Sequence, residues 1–327
     1  SIFNLSGGAA QSGRSHCSIQ AEPLLNFAGQ GDFAQRCTQN ILENYSGLIT
    51  EEKCMCNNYS IDYCINNCEE FERVGFPELG RNEVFFDKKN KCYVKFYGIP
   101  SHFTNEKAAL HYYKNFYLAP KLEFESETCL GIKSINGKIL KTPSLTQYHY
   151  MGVALRKLHE FSRVSKNINT SYNEYYLEEH RKWNKLCKKL TKHDSERWKD
   201  AIVNAGAFLN NFKICGNDYI VLCHNDYCER NILFKNDKIA GIIDFEKSRF
   251  ADPACDLATM VIKELGTSNL SMFLASYSLT NITKSRFFYF PLYKALEIIT
   301  WAETVDKLYY QKAVDFLLHW ETLYEYI

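Results

Sequence analysis

One segment constrains this chain more than any other: an apolar strand, a polar loop and a second apolar strand over residues 221–234. The first strand ends at His224, and the loop carries Asp226 and Asn231 five residues apart. A further apolar run ends in Asp244, eighteen residues after Asp226. Asp and Asn often end strands as turn residues, so each of them alone indicates only a turn. The joint pattern H-x-D-x4-N followed by I-D-F-E is far harder to obtain by chance, and it predicts a catalytic loop.

These three polar side chains match the parts that phosphoryl transfer requires. A carboxylate must accept or orient the proton of the acceptor hydroxyl, and oxygen ligands must hold magnesium beside the phosphates. Asp226 fits the first role as the catalytic residue, and Asn231 and Asp244 fit the second as metal ligands. The pattern therefore predicts a phosphotransferase. The alternative that is not an enzyme is a catalytically inactive nucleotide-binding scaffold on the same fold.

Three motifs carry a resemblance to a known family. Residues 224–226 read H-N-D, residues 252–258 read D-P-A-C-D-L-A, and residues 155–159 read L-R-K-L-H. They resemble the catalytic loop, the D-P-x-x-D-L-A stretch and the first large-lobe helix end of the aminoglycoside phosphotransferase and choline kinase superfamily, relatives of the protein kinases. The resemblance covers residues 80–327. It implies an α+β, bilobal protein-kinase-like fold with a small β-sheet N-lobe and a larger, mainly helical C-lobe.

The resemblance and the local patterns together divide the chain into three parts. Residues 1–50 are predicted to be an N-terminal extension of uncertain structure, residues 51–133 an ATP-binding N-lobe, and residues 134–327 a C-lobe with the catalytic loop and the acceptor site. Runs of β-branched and aromatic residues predict a hairpin over residues 84–97. A helix is predicted over residues 105–117, with Thr104 as its N-cap. Further helices are predicted around residues 148–158 and over residues 172–190, 195–212, 285–305 and 306–324, and strand pairs over residues 219–222 with 232–234 and 239–243.

The resemblance also implies a nucleotide site, with ATP as donor, GTP as an alternative donor and Mg²⁺ as cofactor. Lys95 is expected to reach the phosphates from the second hairpin strand, and Glu106 to pair with it. A solvated strand lysine and a carboxylate at a helix start are the alternative readings. Asn82 is expected in the loop over the phosphates, and Ile132 near the hinge that binds adenine. Cys228 stands two residues after the aspartate, where protein kinases have a lysine.

The acceptor is expected to be a small molecule. Only twelve residues separate Asp244 from Asp256, too few for the peptide-binding platform that protein kinases build between these points. Asp252 and Asp256 are interpreted as carboxylates that hold the catalytic loop by hydrogen bonds at a helix start. A hydroxyl-bearing molecule bound among the C-lobe helices fits this spacing better.

Two kinds of acceptor compete. An aminoglycoside-type antibiotic is a polycation, and acidic residues such as Glu174, Glu178 and Glu297 are candidates to bind it; this reading implies a role in antibiotic resistance. A choline- or ethanolamine-like acceptor, or another metabolite, needs a different site, in which aromatic residues such as Trp301 would form a cage. The D-P-x-x-D-L-A stretch favours the antibiotic branch.

The composition limits which other classes of function the chain could have. The 39 basic and 38 acidic side chains give a net charge of +1, so a dedicated nucleic-acid binder is not expected. No apolar run is long enough to span a bilayer, and no secretory pattern is present, so a cytoplasmic location is expected. The 13 cysteines are odd in number and are interpreted as reduced thiols. The spacing of Cys54, Cys56, Cys64 and Cys68 matches a zinc site poorly. The sequence does not indicate an oligomeric state.

Overall fold

The computed structural model describes residues 59–74, 82–165, 181–182, 185–186, 199–211, 219–279 and 284–326. Within these residues an antiparallel sheet forms the N-terminal part, and helices with a few short strands form the rest. The predicted α+β fold with a small sheet lobe and a larger helical lobe is confirmed. Cys54 and Cys56 of the weak zinc pattern, like the whole N-terminal extension, lie outside the described residues.

The N-terminal sheet has five strands in the order β1-β2-β3-β5-β4. A short helix, α1 (Ile61–Asn66), precedes it. The central hairpin was predicted, and the register pairs Phe85 with Val94 and Val84 with Lys95. Alternation along β3 turns Val94 into the apolar core and Lys95 toward the opposite face, since successive side chains of a strand point to opposite sides. The strands are β1 (Phe71–Val74), β2 (Asn82–Asp87), β3 (Cys92–Tyr97), β4 (Leu122–Glu125) and β5 (Cys129–Lys133).

The helix after β3 starts earlier than the sequence predicted. It is α2 (Pro100–Tyr112), and the predicted range of 105–117 with Thr104 as N-cap is wrong. Proline at the first helical position explains the start, because its fixed φ suits that position and no N–H is needed there. The Thr104 hydroxyl instead donates to the Pro100 carbonyl oxygen at 3.1 Å. Glu106 therefore lies in the second turn of α2, not at its start, and is buried.

The C-terminal part begins with α3 (Leu145–Phe161), whose N-terminus is closed by reciprocal hydrogen bonds between Ser144 and Gln147. At residue 152 this helix meets a later one so closely that a Cβ on Gly152 would overlap the Phe273 carbonyl oxygen. None of the helices within the described ranges is long and apolar enough to cross a bilayer. The other helices are α4 (Lys199–Asn211), α5 (Ala254–Glu264), α6 (Ser268–Tyr277), α7 (Lys284–Ile299), α8 (Ala302–Val305) and α9 (Lys307–His319).

These helices follow the predictions in outline. The predicted helix over residues 285–305 is divided into α7 and α8, and that over residues 306–324 ends as α9, followed by a 3₁₀ turn at Trp320–Tyr326. The predicted helix over residues 172–190 lies mostly outside the described residues.

Within the described residues, five short strands interrupt the helices. β7 (Tyr219–Cys223) lies between β6 (Val164–Ser165) and β10 (Arg249–Ala251) in an antiparallel sheet, so the predicted pairing of residues 219–222 with residues 232–234 is wrong. β8 (Ile232–Lys235) pairs with β9 (Lys238–Ile242) alone. Positive φ at both residues between them, 49° and 60°, explains this, because that backbone closes a two-residue hairpin. The loop between β7 and β8 is thereby left outside both sheets.

Candidate active site

The loop between β7 and β8 carries the H-N-D motif and is held in place by hydrogen bonds from the start of α5. The Asp256 carboxylate accepts the His224 backbone N–H at 2.8 Å and the Asn225 backbone N–H at 2.5 Å. The imidazole Nε2 of His159 hydrogen-bonds the same carboxylate at 2.9 Å. All these groups except the partly buried Asn225 are buried, where charge-assisted hydrogen bonds to a carboxylate are strong. The prediction that Asp256 holds this loop is confirmed.

Asp252 fixes the start of the same helix. Its carboxylate accepts the Ala254 backbone N–H at 2.9 Å and forms an ion pair with the fully buried guanidinium of Arg286 on α7. This agrees with its interpretation as a structural carboxylate. Because α5 and α7 are tied together here, the support under the loop is continuous with the helical core.

Asp226 lies in the loop with its carboxylate at the end of β7 and within reach of two cations. The Lys247 Nζ lies 3.0 Å from one carboxylate oxygen, and the Arg230 guanidinium lies 3.5 Å from the other. Burial acts to raise the pKa of Asp226, but Lys247 and then Arg230 hold that pKa below its ordinary value. The side chain is therefore a carboxylate over the whole neutral range. Cys228, at the position where protein kinases have a lysine, is buried instead.

Asn231 and Asp244 lie side by side at the end of the loop. The Asn231 side-chain amide donates to the Asp226 backbone carbonyl oxygen at 2.9 Å, and the Asn231 backbone carbonyl oxygen accepts the Ile243 backbone N–H at 2.9 Å. Asp244 has φ of 68° and Asn225 has φ of 60°, both in the left-handed region. Such backbone costs non-glycine residues roughly 1–2 kcal/mol, and it is often stored at functional sites.

Lys95 joins the sheet lobe to this loop. Its Nζ lies 2.7 Å from a Glu106 carboxylate oxygen, 2.6 Å from Asp244 and 2.9 Å from Glu246. Burial acts to lower the pKa of Lys95, but Glu106, Asp244 and Glu246 together raise it above its ordinary value. Lys95 is thus a buried, charged ammonium, not a solvated strand lysine. The predicted contact between Lys95 and Glu106 is confirmed.

Glu246 was missed as a site residue, although it closes the I-D-F-E motif. Besides Lys95, its carboxylate accepts a hydrogen bond from the Asn82 side chain and lies 3.2 Å from the His102 ring. Its backbone carbonyl oxygen accepts the Asn105 side-chain N–H at 3.2 Å. Asn82 is the first residue of β2 and is occupied by this contact, so its expected place in a loop is wrong.

Ile132 lies inside β5, between two neighbouring strands. It is paired with Tyr93 of β3 and with Leu122 of β4, and its side chain is buried. The chain leaves this strand only after Lys133. The next two backbone N–H groups are also paired, since Lys133 donates to the Lys121 carbonyl oxygen at 2.8 Å and Ser134 donates to the Lys91 carbonyl oxygen at 3.1 Å.

The carboxylates around Asp244 surround the Lys95 ammonium and are also the type of oxygen donor that a hard cation prefers. Carboxylate oxygens of Glu106, Asp244 and Glu246 lie within 4.8 Å of one another. Magnesium prefers such oxygen donors and binds through one or two carboxylates together with substrate phosphates. A second such group, His159, Cys223 and Asp256, is fully buried under the loop. Its His and Asp already hydrogen-bond each other.

A cavity of about 360 Å³ opens beside the loop, on the side away from Lys95's sheet. Glu297 lines it and forms an ion pair with Lys294 at 2.8 Å. Trp301 is 41 % exposed and packs edge-on against Tyr309, outside the lining. Glu174 and Glu178 lie outside the described residues. The lining residues are Lys182, Lys185, Leu186, Asn225, Lys247, Arg249, Cys255, Ala258, Phe290, Tyr293, Lys294, Glu297 and Thr300.

Comparison with known proteins identifies the family of this site. Residues 118–288, which are 171 of the 327, match the sequence model of the phosphotransferase enzyme family. A comparison with curated protein sequences gives no match. The matched range contains the catalytic loop, Asp244 and the start of α5.

Several solved structures have the same fold, and the names of three of them mention different small molecules. The streptomycin–ATP–APH(2")-IIa ternary complex is 16% identical, covers 74% of this chain and 91% of its own, and has a TM-score of 0.53. Macrolide 2'-phosphotransferase MphH from Brachybacterium faecium is 13% identical, covers 76% of this chain and 91% of its own, and has a TM-score of 0.51. Choline kinase LicA from Streptococcus pneumoniae is 18% identical, covers 86% of this chain and 99% of its own, and has a TM-score of 0.55. At these identities the similarity establishes the shared fold.

Proposed function

This chain belongs to the phosphotransferase enzyme family, and we propose that it transfers the γ-phosphoryl group of ATP to a hydroxyl of a small molecule with the help of Mg²⁺. The observation that carries the proposal is the meeting of Lys95, Asp244 and the Asp226 loop at one point. Lys95 contacts Asp244 at 2.6 Å, although 149 residues separate them. A buried ammonium beside oxygen donors and an ionised carboxylate is the set of groups that phosphoryl transfer uses.

Each residue then has a role. Asp226 orients the acceptor hydroxyl and takes its proton, while Lys95, held by Glu106, contacts the ATP phosphates. Asp244 and the side-chain oxygen of Asn231 would hold Mg²⁺, which supplies positive charge to the phosphates. Ile132 and Asn82 were predicted to bind nucleotide. Both assignments are kept as proposals: Ile132 lies near the end of β5, and Asn82 donates to Glu246 beside Lys95.

The small size of the acceptor is supported by the segment after Asp244. It contains one 3₁₀ turn (Phe245–Lys247) and β10 before α5 begins. That leaves no surface on which a peptide substrate would lie. The adjacent cavity of about 360 Å³ falls within the range of small-molecule sites. We assign residues 51–133 to the nucleotide lobe and residues 134–327 to the acceptor lobe.

ATP is the donor we propose, with GTP as an alternative. A protein of the same fold binds ATP together with streptomycin, which supports this choice. The acceptor classes predicted from sequence, an aminoglycoside-type antibiotic or a choline-like molecule, remain predictions, and names of proteins with this fold include both.

ADP release tests the proposal. The purified chain is incubated with Mg²⁺ and ATP over a panel of hydroxyl compounds that includes aminoglycosides, macrolides, choline, sugars and their phosphates. We expect Asp226→Asn to lose about 100-fold or more of the turnover, because general-base positioning contributes that much, while ATP affinity is kept. Asp244→Asn is expected to lose Mg²⁺-dependent ATP binding.

The matched control is Asp315→Asn, an exposed aspartate on α9, which should leave both measurements unchanged. Full activity in Asp226→Asn would contradict the assignment. If the wild type binds ATP but releases no ADP with any compound, the scaffold reading is correct instead.

A further inference from the structure

Two cysteines meet where the catalytic loop joins its support. Cys223 is the last residue of β7, and Cys255 is the second residue of α5. The Cys223 thiol donates to the Asp252 carbonyl oxygen at 3.2 Å, and the Cys255 backbone N–H donates to the same oxygen at 2.9 Å. Cys255 also packs against the small apolar cluster that contains Cys223, and the two thiols are hydrogen-bonded to each other. The two sulfur atoms are therefore neighbours.

The two cysteines differ in how a reagent can reach them. Cys223 is fully buried, whereas Cys255 is partly buried and belongs to the lining of the cavity beside the catalytic loop. Burial raises the pKa of the Cys223 thiol well above its ordinary value, so this thiol stays protonated at neutral pH. A small reagent that enters the cavity therefore reaches the sulfur of Cys255 first, and the sulfur of Cys223 lies directly behind it.

Each cysteine directly precedes a residue that holds the catalytic loop in place. Cys223 is followed by His224 and Cys255 by Asp256, and the Asp256 carboxylate accepts the His224 backbone N–H at 2.8 Å. A disulfide between the cysteines would fix their Cβ atoms about 3.5–4.5 Å apart. It would also remove the thiol proton that Cys223 donates to the Asp252 carbonyl oxygen. We expect these changes to displace the end of β7 and the loop that follows it.

We propose that Cys255 is a modification site for hydroperoxides that enter the cavity, and that Cys223 converts the oxidised Cys255 into a disulfide that reversibly stops turnover. An accessible cysteine beside a second, resolving cysteine is the usual arrangement of thiols that sense oxidants, because the disulfide protects the first sulfur from further oxidation. Formation of the disulfide does not depend on the function proposed above; only the loss of turnover rests on it.

The oxidation proceeds in two steps. The Cys255 sulfur attacks one oxygen of hydrogen peroxide, the O–O bond breaks, and the other oxygen leaves as water with the thiol proton, so that Cys255 becomes a sulfenic acid. The Cys223 sulfur then attacks the Cys255 sulfur, the S–O bond breaks, and the hydroxide leaves with the Cys223 proton as a second water. Two thiols thus lose two electrons, and one peroxide is reduced to two waters.

Mass spectrometry of the full chain tests the linkage. The protein is treated with hydrogen peroxide, digested without reductant, and the linked peptides are fragmented to identify the joined cysteines. We expect a peptide pair joined through Cys223 and Cys255, which dithiothreitol separates. ADP release by the same samples should fall at least about tenfold on oxidation and recover with dithiothreitol, because a small displacement of a catalytic group has an effect of that size or more.

Two serine variants and a control locate the effect, each compared with its own untreated sample. Cys255→Ser should form no such linkage and keep its turnover in peroxide. Cys223→Ser should also form no linkage, but its Cys255 should oxidise further, to an acid that dithiothreitol does not reduce. Cys68→Ser removes an exposed thiol and should leave the response of the protein unchanged. If Cys223→Ser does not fold, the partly buried position of Cys255→Ser still provides the test.

The two readouts separate this inference from the proposed function. A peroxide-treated protein in which Cys255 stays reduced, or joins a cysteine other than Cys223, overturns the inference. Linkage of Cys223 with Cys255 without loss of turnover also overturns it, while the phosphotransferase proposal stands. Linkage in a chain that releases no ADP with any acceptor supports the thiol pair and contradicts the proposed function.

Discussion

The charge of Asp226 is controlled by a lysine from outside its own loop. Cys228 occupies the place of the lysine found in protein kinases, and Lys247, which follows the I-D-F-E motif, lies 3.0 Å from the carboxylate instead. A cation at this distance favours the ionised form of a carboxyl group. Lys247 therefore supplies a cation beside Asp226 from outside the loop.

Removing this lysine should move the pH dependence of the reaction. Lys247 lowers the pKa of Asp226, so Lys247→Met raises it and turnover is lost at a higher pH as the carboxyl group becomes protonated. We expect the acid limb of kcat/KM, measured by ADP release, to move to higher pH in this variant. Arg230→Met, at 3.5 Å and half exposed, should move it less. An unmoved acid limb in Lys247→Met would show that Asp226 is not the titrating group.

Single side chains were predictable where a motif or the family resemblance named them. The Asn231 side chain contacts Asp226, and the Asn231 backbone contacts Ile243, the residue before Asp244. Glu246 and Lys247 were missed as site residues although they are adjacent in sequence to Asp244. Their partners lie in other parts of the chain, and spacing along a sequence does not reveal such contacts.

The crossing of α3 and α6 depends on one glycine. A Cβ at residue 152 would overlap the Phe273 carbonyl oxygen and approach the Tyr277 backbone nitrogen. Both obstacles are backbone atoms, which cannot rotate away as a side chain does. The two helices therefore pack at a distance that only glycine permits, and α3 carries His159, which supports the loop through Asp256.

Gly152→Ala should destabilise the protein, although alanine favours an isolated helix by about 1 kcal/mol. We expect a net loss of about 1–3 kcal/mol in the free energy of unfolding, because the helices must separate. Denaturant unfolding measures it. Glu160→Ala, exposed on the same helix, should change stability by less than about 0.5 kcal/mol. A stabilised Gly152→Ala protein would mean that the helices are not in close contact.

Element types were more predictable than their boundaries and partners. The hairpin of β2 and β3 follows from its alternating pattern and polar turn. The start of α2 was misplaced because Pro100 was not taken as a first helical residue. The partner of β7 was also misplaced, since β10 comes from residues 249–251, beyond the loop and a second hairpin.

The helical lobe is tied together by a buried ion pair between Asp252, just before α5, and Arg286 of α7. Both residues are almost fully buried, so loss of either one leaves a charge out of water. Because the same segment anchors the catalytic loop through Asp256, this pair connects the stability of the lobe with the geometry of the site.

Arg286→Met should lower the free energy of unfolding by about 3–5 kcal/mol, the usual effect of breaking a buried ion pair from one side. Urea unfolding followed by circular dichroism measures the loss. The comparison is Arg73→Met, which removes an exposed pair with Glu83 and should cost less than about 1 kcal/mol. Equal effects of the two substitutions would contradict a structural role for the buried pair.

The fold of the whole molecule was predictable because the motif belongs to a family whose lobes follow one order along the chain. The small sheet lobe and the larger, mainly helical lobe follow each other along the described parts of the chain as expected. The cavity beside the loop was not predictable in this way. Residues 249 and 294 meet at the cavity only through the packing of β10 and α7, and nothing in their local sequence indicates a shared site.

Asn225 and Asp244 both hold left-handed backbone, with φ of 60° and 68°. Glycine adopts that conformation without steric cost, whereas other residues lose roughly 1–2 kcal/mol. A laboratory selection that rewards heat resistance alone would therefore tend to collect glycine at these two positions. The survivors would lack the Asp244 carboxylate, so under the proposed function heat resistance and turnover must be selected together.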